Sequence, residues 1–351
     1  MTEQISSLAL RNFTQTCKSP ATREVYTLAL HHFMDYLRLP QNEYDKLIEK
    51  DPKTIQMDIC NFITFLRNDH SPASVSLYVA ALNKFYTMND ITSLNWKKIK
   101  SFEGEREKVA EDRPYTHSEI KMLIDKTSLR NRAIILLMCS SGVRVGALPL
   151  IRIKDLEPID KYNIYKINVY PKSRKPGYFS FCTPECRSII DQYLDHRKRW
   201  GERISDDSPL FRRDYNAHNP KMGSIKTITR GTIEKFMDLL WRDVGLKNPS
   251  LEGHKHRRNQ IMMNHGFRKF LQTNAFKAGM DNMYLRRLMS QSSGLEDSYL
   301  KLSAEELLEG DSKHVGYIGI IDQLTINEEN KLRRKVETLT ERQDRNPKDE
   351  I

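Results

Sequence analysis

The sequence predicts a mainly α-helical protein with a small β-sheet, divided into two domains. Apolar residues recur at helical spacing through most of the chain, whereas only residues 162–185 alternate in the manner of strands. A charged, aliphatic-poor stretch at 97–113 separates two such regions and is typical of a linker. The 351 residues are enough for two domains, each with its own core.

The first domain, predicted at 1–105, contains three helix start signals. Ser-Pro or Asp-Pro at 19–20, 51–52 and 71–72 places a capping side chain directly before a proline and an apolar-periodic run. Another helix is predicted near residues 3–16. We therefore expect this domain to be a small bundle of amphipathic helices.

The second domain, predicted at 106–325, opens with a capping box formed by Thr116 and Glu119. The stretch "NRAIILLMCSSGVRVGALPL" predicts a buried helix, a Ser-Ser-Gly turn and a short second helix that ends at Pro149. Two short strands follow around a basic turn at 171–177. Further helices are predicted at about 184–199, 230–244, 265–278 and 282–290.

The last region, 326–351, is predicted to be a charged C-terminal helix and tail. Its apolar residues Leu332, Val336 and Leu339 form one narrow stripe on an otherwise polar helix. Such a helix needs a partner surface to be stable.

The positive charge of the chain is concentrated in its middle. The formal net charge is +11, yet 1–105 and 326–351 each hold equal numbers of acidic and basic side chains. The whole excess therefore lies in 106–325, as expected for a surface that binds a nucleic-acid backbone.

Composition excludes several classes of protein. No apolar run approaches the length of a membrane span, and the N-terminus lacks the basic and apolar regions of a signal peptide. Five cysteines, an odd and sparse number, fit a reducing compartment. We therefore expect a cytoplasmic, nucleoid-associated protein with no membrane partner.

The stretch "MMNHGFRKFLQTNAFKAG" at 262–279 places two cationic or titratable side chains at the start of a helix. His265 and Arg268 share one face at spacing i, i+3, and apolar residues follow at helical spacing. Gly279 is predicted to end this helix and Asp281 to cap the next one. A pair of hydrogen-bond donors at this place can meet an anion.

In chain order, Arg144 follows a glycine turn, a lysine lies in the basic hairpin turn, His265 and Arg268 follow, and Tyr299 lies in "GLEDSYLK". This ordered set resembles the tyrosine recombinase (phage integrase) family over about residues 18–305. "SSGVRVGALPL" is similar to the family's first arginine box, "HGFRK" to its His-x-x-Arg box and "LRRLMSQSSGLEDSYLK" to its nucleophile segment. The 31 residues from Arg268 to Tyr299 are close to the family's usual separation.

The resemblance implies a two-domain DNA clamp that joins a helical core-binding domain to a catalytic domain. It implies that Tyr299 attacks a DNA phosphodiester and forms a 3′-phosphotyrosyl link. Arg144 and Arg268 would clamp the phosphate oxygens through their planar guanidinium groups. His265, titratable near neutral pH, would accept the tyrosine proton.

The leaving 5′-oxygen needs a proton, which the resemblance assigns to a lysine in the 171–177 turn. The family pattern of a strand followed by a lysine-containing turn points to Lys172, with Lys175 as the second choice. The arginines supply the positive charge, so we predict no metal and no cofactor. A zinc site from Cys182 and Cys186 with two histidines of "GHKHRR" lacks a second cysteine pair and is disfavoured.

Two positions depart from the family pattern. Ala147 stands where many members have an acidic residue, and Gln291 stands where the second histidine would fall. The amide of Gln291 can donate a neutral hydrogen bond to the phosphate in place of that histidine. We expect a site-specific recombinase or integrase; a type IB topoisomerase-like enzyme and a catalytically silent DNA-binding relative are the alternatives.

The partner implied by the resemblance is double-stranded DNA that carries a recombination site. It also implies a homotetramer at synapsis, with the free protein able to exist as a monomer. Integration, excision and resolution of chromosome dimers all remain open from the sequence.

Overall fold

The chain separates into two compact units, which comprise Met1–Glu111 with Ser250–Arg258 and Asp112–Pro249 with Asn259–Ile351. No helix in the described part of either unit is long and apolar enough to cross a membrane. The computed structural model describes residues 7–104, 112–170, 177–213, 226–247 and 259–291.

The first unit is helical throughout its described part. The predicted helix starts are confirmed, since the side chains of Ser19, Asp51 and Ser71 each accept a hydrogen bond from a backbone N–H in the first turn. The helices are α1 (Leu8–Gln15), α2 (Pro20–Tyr36), α3 (Pro52–Leu66), α4 (Pro72–Met88) and α5 (Trp96–Ser101).

Helix α5 corrects the predicted linker at 97–113. Three lysines give this segment its charged character, but Ile99 between them is fully buried in the core of the unit. Asn95 caps the helix by accepting a hydrogen bond from the Lys98 N–H at 3.0 Å. A single buried residue was too weak a pattern to reveal the helix.

The second unit packs helices against a small sheet. The Thr116–Glu119 capping box is confirmed, with both reciprocal hydrogen bonds present. The elements are α6 (His117–Asp125), α7 (Leu129–Ser141), β1 (Leu156–Ile159), β2 (Ile164–Val169), β3 (Tyr178–Phe181), α8 (Pro184–Arg199), α9 (Arg230–Asp243), α10 (His265–Lys277) and α11 (Asn282–Leu288).

The sheet is antiparallel in the order β1-β2-β3. Strands β2 and β3 confirm the two strands predicted around the basic turn, and Val169 pairs with Tyr178 next to that turn. Strand β1 was missed because Glu157 and Pro158 interrupt its apolar pattern. Proline is tolerated there because β1 lies at the edge of the described sheet.

Helix α7 is the buried centre of the second unit. Its apolar residues from Ala133 to Cys139 are inaccessible to solvent, and Gly142 caps it in the left-handed conformation at φ 61°. The predicted second helix ending at Pro149 is wrong, because Pro149 lies inside a short 3-10 turn over Leu148–Leu150. Proline fits the first turn of such an element, where its missing N–H is not needed.

Candidate functional site

The start of α10 is fixed by close packing around Gly266. A Cβ atom at this position would lie 2.7 Å from Ile261 and 2.8 Å from the ring of Tyr115, so only glycine fits there. The Tyr115 ring stacks on Phe267 at a centroid distance of 4.4 Å, and its hydroxyl donates to the Met263 carbonyl at 2.7 Å. This packing fixes the start of α10 and therefore the directions in which His265 and Arg268 project from it.

Arg268 is buried and bonded to the ends of two helices. Its side chain donates to the carbonyl oxygens of Gly142 and of Met289, the latter at 2.7 Å. These carbonyls belong to the C-terminal caps of α7 and α11, where helix dipoles are negative. No carboxylate pairs with Arg268 among the described residues; its guanidinium is held there by these two backbone carbonyls, and the side chain of Tyr178 also acts on its charge.

Arg144 approaches the same end of α11 from the turn after α7. Its guanidinium is exposed and donates to the Ser290 carbonyl at 3.3 Å. The pKa of Arg268 is lowered mainly by burial and next by the positive charge of Arg144. Two cations held this close together form an arrangement suited to an anion.

The turn that carries Arg144 is closed by Ala147. The Ala147 N–H donates to the Arg144 carbonyl at 2.8 Å, and the methyl group is fully buried. The position that the sequence analysis marked as a departure is therefore part of the apolar core.

Gln291 is brought next to the arginines by the end of α11. Ser290 adopts a left-handed conformation at φ 49° and donates to the Arg287 carbonyl at 3.0 Å. The Gln291 N–H donates to the Arg286 carbonyl at 2.8 Å, which completes a Schellman motif. Gln291 thus directly follows the residue whose carbonyl binds Arg144.

His265 is the exposed first residue of α10. Burial lowers the pKa of its imidazole, and the charges of Arg268, Lys269 and Arg144 lower it further. The carboxylate of Asp112 opposes this effect. A pKa below the ordinary histidine value keeps the ring neutral at pH 7, so it can accept a proton or a hydrogen bond.

The β2–β3 hairpin reaches the arginines through Tyr178. The Tyr178 hydroxyl is buried and has no hydrogen-bond partner in the described structure. Burial raises its pKa, while the charges of Arg268 and Arg144 oppose the rise. Tyr170, at φ 58°, directly follows β2, and its hydroxyl group also acts on the Arg268 charge.

The structure thus brings together four of the six predicted site residues, namely Arg144, His265, Arg268 and Gln291. Lys172, like its alternative Lys175, lies outside the described residues, as do Tyr299 and the tail at 326–351.

Sequence reasoning missed Tyr178 and Asp112. Tyr178 directly follows the predicted basic turn, next to Gly177, and that place in a strand was the only signal for it. Asp112 lies among other charged residues in the predicted linker and had no signal of its own.

Cys182 and Cys186 are also placed by the structure. Both thiols are fully buried, and burial raises the pKa of Cys186. No group of three metal-ligating side chains occurs in the described ranges. The histidines of "GHKHRR" lie outside those ranges.

No protein-family model and no curated protein matches the sequence. Several solved structures are similar in fold. A XerH site-specific recombinase on difH substrate is 18% identical, with 83% of this chain and 80% of that chain covered at a TM-score of 0.54. A lambda integrase dimer on a core site is 12% identical, with 84% and 96% covered at 0.54. The Tn1549 transposon integrase on transposon right-end DNA is 14% identical, with 87% and 99% covered at 0.55.

At these identities the likeness establishes the fold. The chain is mainly helical with a small three-stranded antiparallel sheet in its described part, and its fold is similar to that of these tyrosine recombinases.

Proposed function

We propose that this chain, built on the tyrosine recombinase fold, cleaves and rejoins DNA strands at a specific site. The observation that carries the proposal is the convergence of Arg144 and Arg268 on consecutive carbonyls, those of Ser290 and Met289. His265 lies one helical turn before Arg268, on the same face. Two guanidinium groups and a neutral imidazole form a set suited to a phosphodiester.

Each residue of the set has a role in the proposed reaction. Tyr299 forms a bond from its oxygen to the phosphorus, and His265 takes the hydroxyl proton. Arg144 and Arg268 stabilise the charge that builds on the non-bridging oxygens. The bond to the 5′-oxygen breaks, and Lys172 supplies the proton that this oxygen needs. The phosphotyrosyl bond conserves the energy of the bond broken, so a second 5′-hydroxyl can reverse the step without ATP.

The hairpin supports the placement of the lysine. The described chain stops at Tyr170 and resumes at Gly177, on both sides of a pairing between Val169 and Tyr178. Lys172 stands two residues after Tyr170 in the sequence, and Lys175 stands two residues before Gly177. Both lysines therefore remain alternatives, and the family pattern favours Lys172.

The proposed partner is double-stranded DNA. The XerH, lambda and Tn1549 proteins were each solved on DNA, and the positive charge of this chain is concentrated in residues 106–325. Backbone contacts from such a region account for affinity without specifying sequence. We further propose assembly into a homotetramer when two sites synapse.

The second candidate function is a catalytically silent DNA-binding relative. It is favoured by two observations, the apolar burial of Ala147 and the neutral side chain at Gln291. Such a relative would bind DNA but would never form a covalent link to it. A topoisomerase-like enzyme would form the link but would not exchange strands between two sites.

Covalent trapping on nicked DNA tests the proposal. The substrate is a library of nicked duplexes with a randomised centre, in which the strand released by cleavage diffuses away, and the DNA bound covalently to protein is sequenced. We expect adducts with the full chain and none with Tyr299→Phe, which loses only the nucleophilic hydroxyl. Tyr284→Phe, a tyrosine of α11, is the matched control and should form adducts.

Four outcomes of these experiments decide among the candidates and the assignment of the nucleophile. No adduct from the unchanged protein, with DNA binding intact, supports the silent relative. An adduct that persists in Tyr299→Phe contradicts the assignment of the nucleophile. Once sites are known, exchange of strands between two site-bearing duplexes supports the recombinase, and relaxation of supercoiled DNA without exchange supports the topoisomerase.

A further inference from the structure

Asp112 forms an ion pair and a hydrogen bond with α10, the helix that carries the proposed catalytic histidine. The ammonium group of Lys269, the residue after Arg268 in α10, forms an ion pair with the Asp112 carboxylate. It also donates to the Asp112 backbone carbonyl at 3.2 Å. The side chains of Asp112 and Lys269 are 41% and 24% exposed, so neither charge is fully screened by solvent.

The backbone that follows Asp112 is held by several contacts. The Arg113 N–H donates to the Gln260 carbonyl at 2.9 Å, and the Arg113 guanidinium bonds to both carboxylate oxygens of Glu119 at 2.9 and 2.7 Å. Tyr115 donates to the Met263 carbonyl at 2.7 Å. Residues 112–115 therefore form a strap across the start of α10 that holds the carboxylate in place.

His265 and Lys269 lie on one helix face at spacing i, i+4. An unpaired ammonium group at Lys269 would be free to approach the imidazole. The charged groups that act on His265 are the cations Arg268, Lys269 and Arg144 and the carboxylate of Asp112. Asp112 is the single negative charge in this set within the described structure.

We propose that Asp112 is a positioning residue for the proton transfer of the proposed reaction. It holds the Lys269 ammonium group away from the imidazole, and it supplies the negative charge that preserves the basicity of His265. This role rests on the proposed function, in which His265 accepts the tyrosine proton. Without Asp112, three cations would face the imidazole unopposed, and the base would be weaker.

The test is a titration of the His265 ring by NMR in the full chain, with His265→Asn to assign the signal. Asp112→Asn keeps the shape and can still accept from Lys269, so the fold is retained. We expect its His265 midpoint to lie a few tenths of a pH unit below that of the unchanged protein. Lys269→Gln removes a like charge and should shift the midpoint upward. The double variant should fall between the two single variants.

Asp125→Asn is the matched control, because Asp125 is an exposed carboxylate of the same unit and is not among the charges that act on His265. Its midpoint should not move. A purely structural role of Asp112 would leave the His265 midpoint in place or shift it in the same direction in both single variants. Either of these results overturns the proposal.

The second readout is the rate of single-turnover cleavage against pH on the trapped DNA site. The acid limb should move to lower pH in Asp112→Asn and to higher pH in Lys269→Gln. If the NMR midpoints move while the limb of an active enzyme stays fixed, the positioning role is overturned. If the unchanged protein does not cleave, the proposed function fails. The order of the His265 NMR midpoints among the variants still decides whether Asp112 controls the basicity of His265.

Discussion

The Arg268 guanidinium donates to the Met289 carbonyl at 2.7 Å, which joins the start of α10 to the end of α11. The same guanidinium reaches the Gly142 carbonyl at the end of α7. One side chain therefore connects three helices, and a change at this position affects the fold as well as the proposed chemistry. Arg144, exposed and bonded only to Ser290 among the described residues, differs in this respect.

The two arginines should be separable by their effects on stability. Replacing either by alanine should lower cleavage by about 10²–10⁴-fold, because transition-state charge loses a partner. Arg268→Ala should also lower the free energy of unfolding by about 2–4 kcal/mol, since two carbonyls lose their charged donor. Arg144→Ala should change it by less than about 0.5 kcal/mol. Denaturant unfolding beside single-turnover cleavage measures both, and equal destabilisation by the two variants would contradict the geometry.

Gly142 and Gly146 provide a matched pair in one turn. Gly142 has φ 61°, and a Cβ there would lie 3.0 Å from Leu271 and 3.3 Å from Met289. Gly142→Ala should cost about 1–3 kcal/mol of stability and displace the carbonyl that Arg268 binds. A Cβ on Gly146 meets nothing within 4 Å, so Gly146→Ala should change stability by less than about 0.5 kcal/mol. Thermal unfolding of both variants is the measurement.

Ser290 adopts a conformation that glycine prefers. At φ 49° its Cβ is strained, so Ser290→Gly should raise the free energy of unfolding by about 0.5 kcal/mol. The carbonyl that accepts from Arg144 is retained, and cleavage should be unchanged. Ser188→Gly, in the regular helix α8, is the control and should lower stability by about 0.5 kcal/mol. A loss of stability in Ser290→Gly would contradict the strain.

Gln291 should tolerate histidine better than alanine. Gln291→Ala should lower cleavage by about tenfold at most, since a neutral hydrogen bond contributes about 1 kcal/mol. Gln291→His should keep or modestly raise cleavage, because a charged donor binds phosphate more strongly. Single-turnover rates at several pH values give the comparison. Full activity of the alanine variant at every pH would exclude a phosphate contact, and His254 or His256 would become the next candidate.

The predicted tail at 326–351 should act in assembly rather than in binding. Its narrow apolar stripe needs a partner surface, which a neighbouring copy on DNA would provide. Deleting 326–351 should leave the affinity for a single DNA site nearly intact and impair synapsis. Gel mobility shift with one-site and two-site DNA separates the effects. Equal synapsis by the truncated protein would contradict this role.

The sequence predicted those elements whose signals are local. The caps at Ser19 and Asp281 could be identified because each side chain bonds to backbone within three residues. Strand β1 and helix α5 were missed, since charged residues and a proline obscure patterns that only tertiary packing completes.

The candidate site was predicted by residue type, but its construction was not. The partners of Arg268 are backbone carbonyls, and every residue carries one, so no sequence pattern marks Gly142 or Met289 as acceptors. The pairing of Asp112 with Lys269 joins positions 157 residues apart along the chain, which neither periodicity nor spacing can connect.

The helix ends that hold Arg268 should also fix the position of its guanidinium when no anion is bound. A guanidinium anchored to the backbone keeps its place when the anion departs, because its acceptors belong to packed helices rather than to rotatable side chains. Arrival and departure of an anion then begin from one arrangement, with little reorganisation in either direction. The strand transfer of the proposed function has to run in both directions. A guanidinium that stays in place favours both, because neither direction has to order the arginine first.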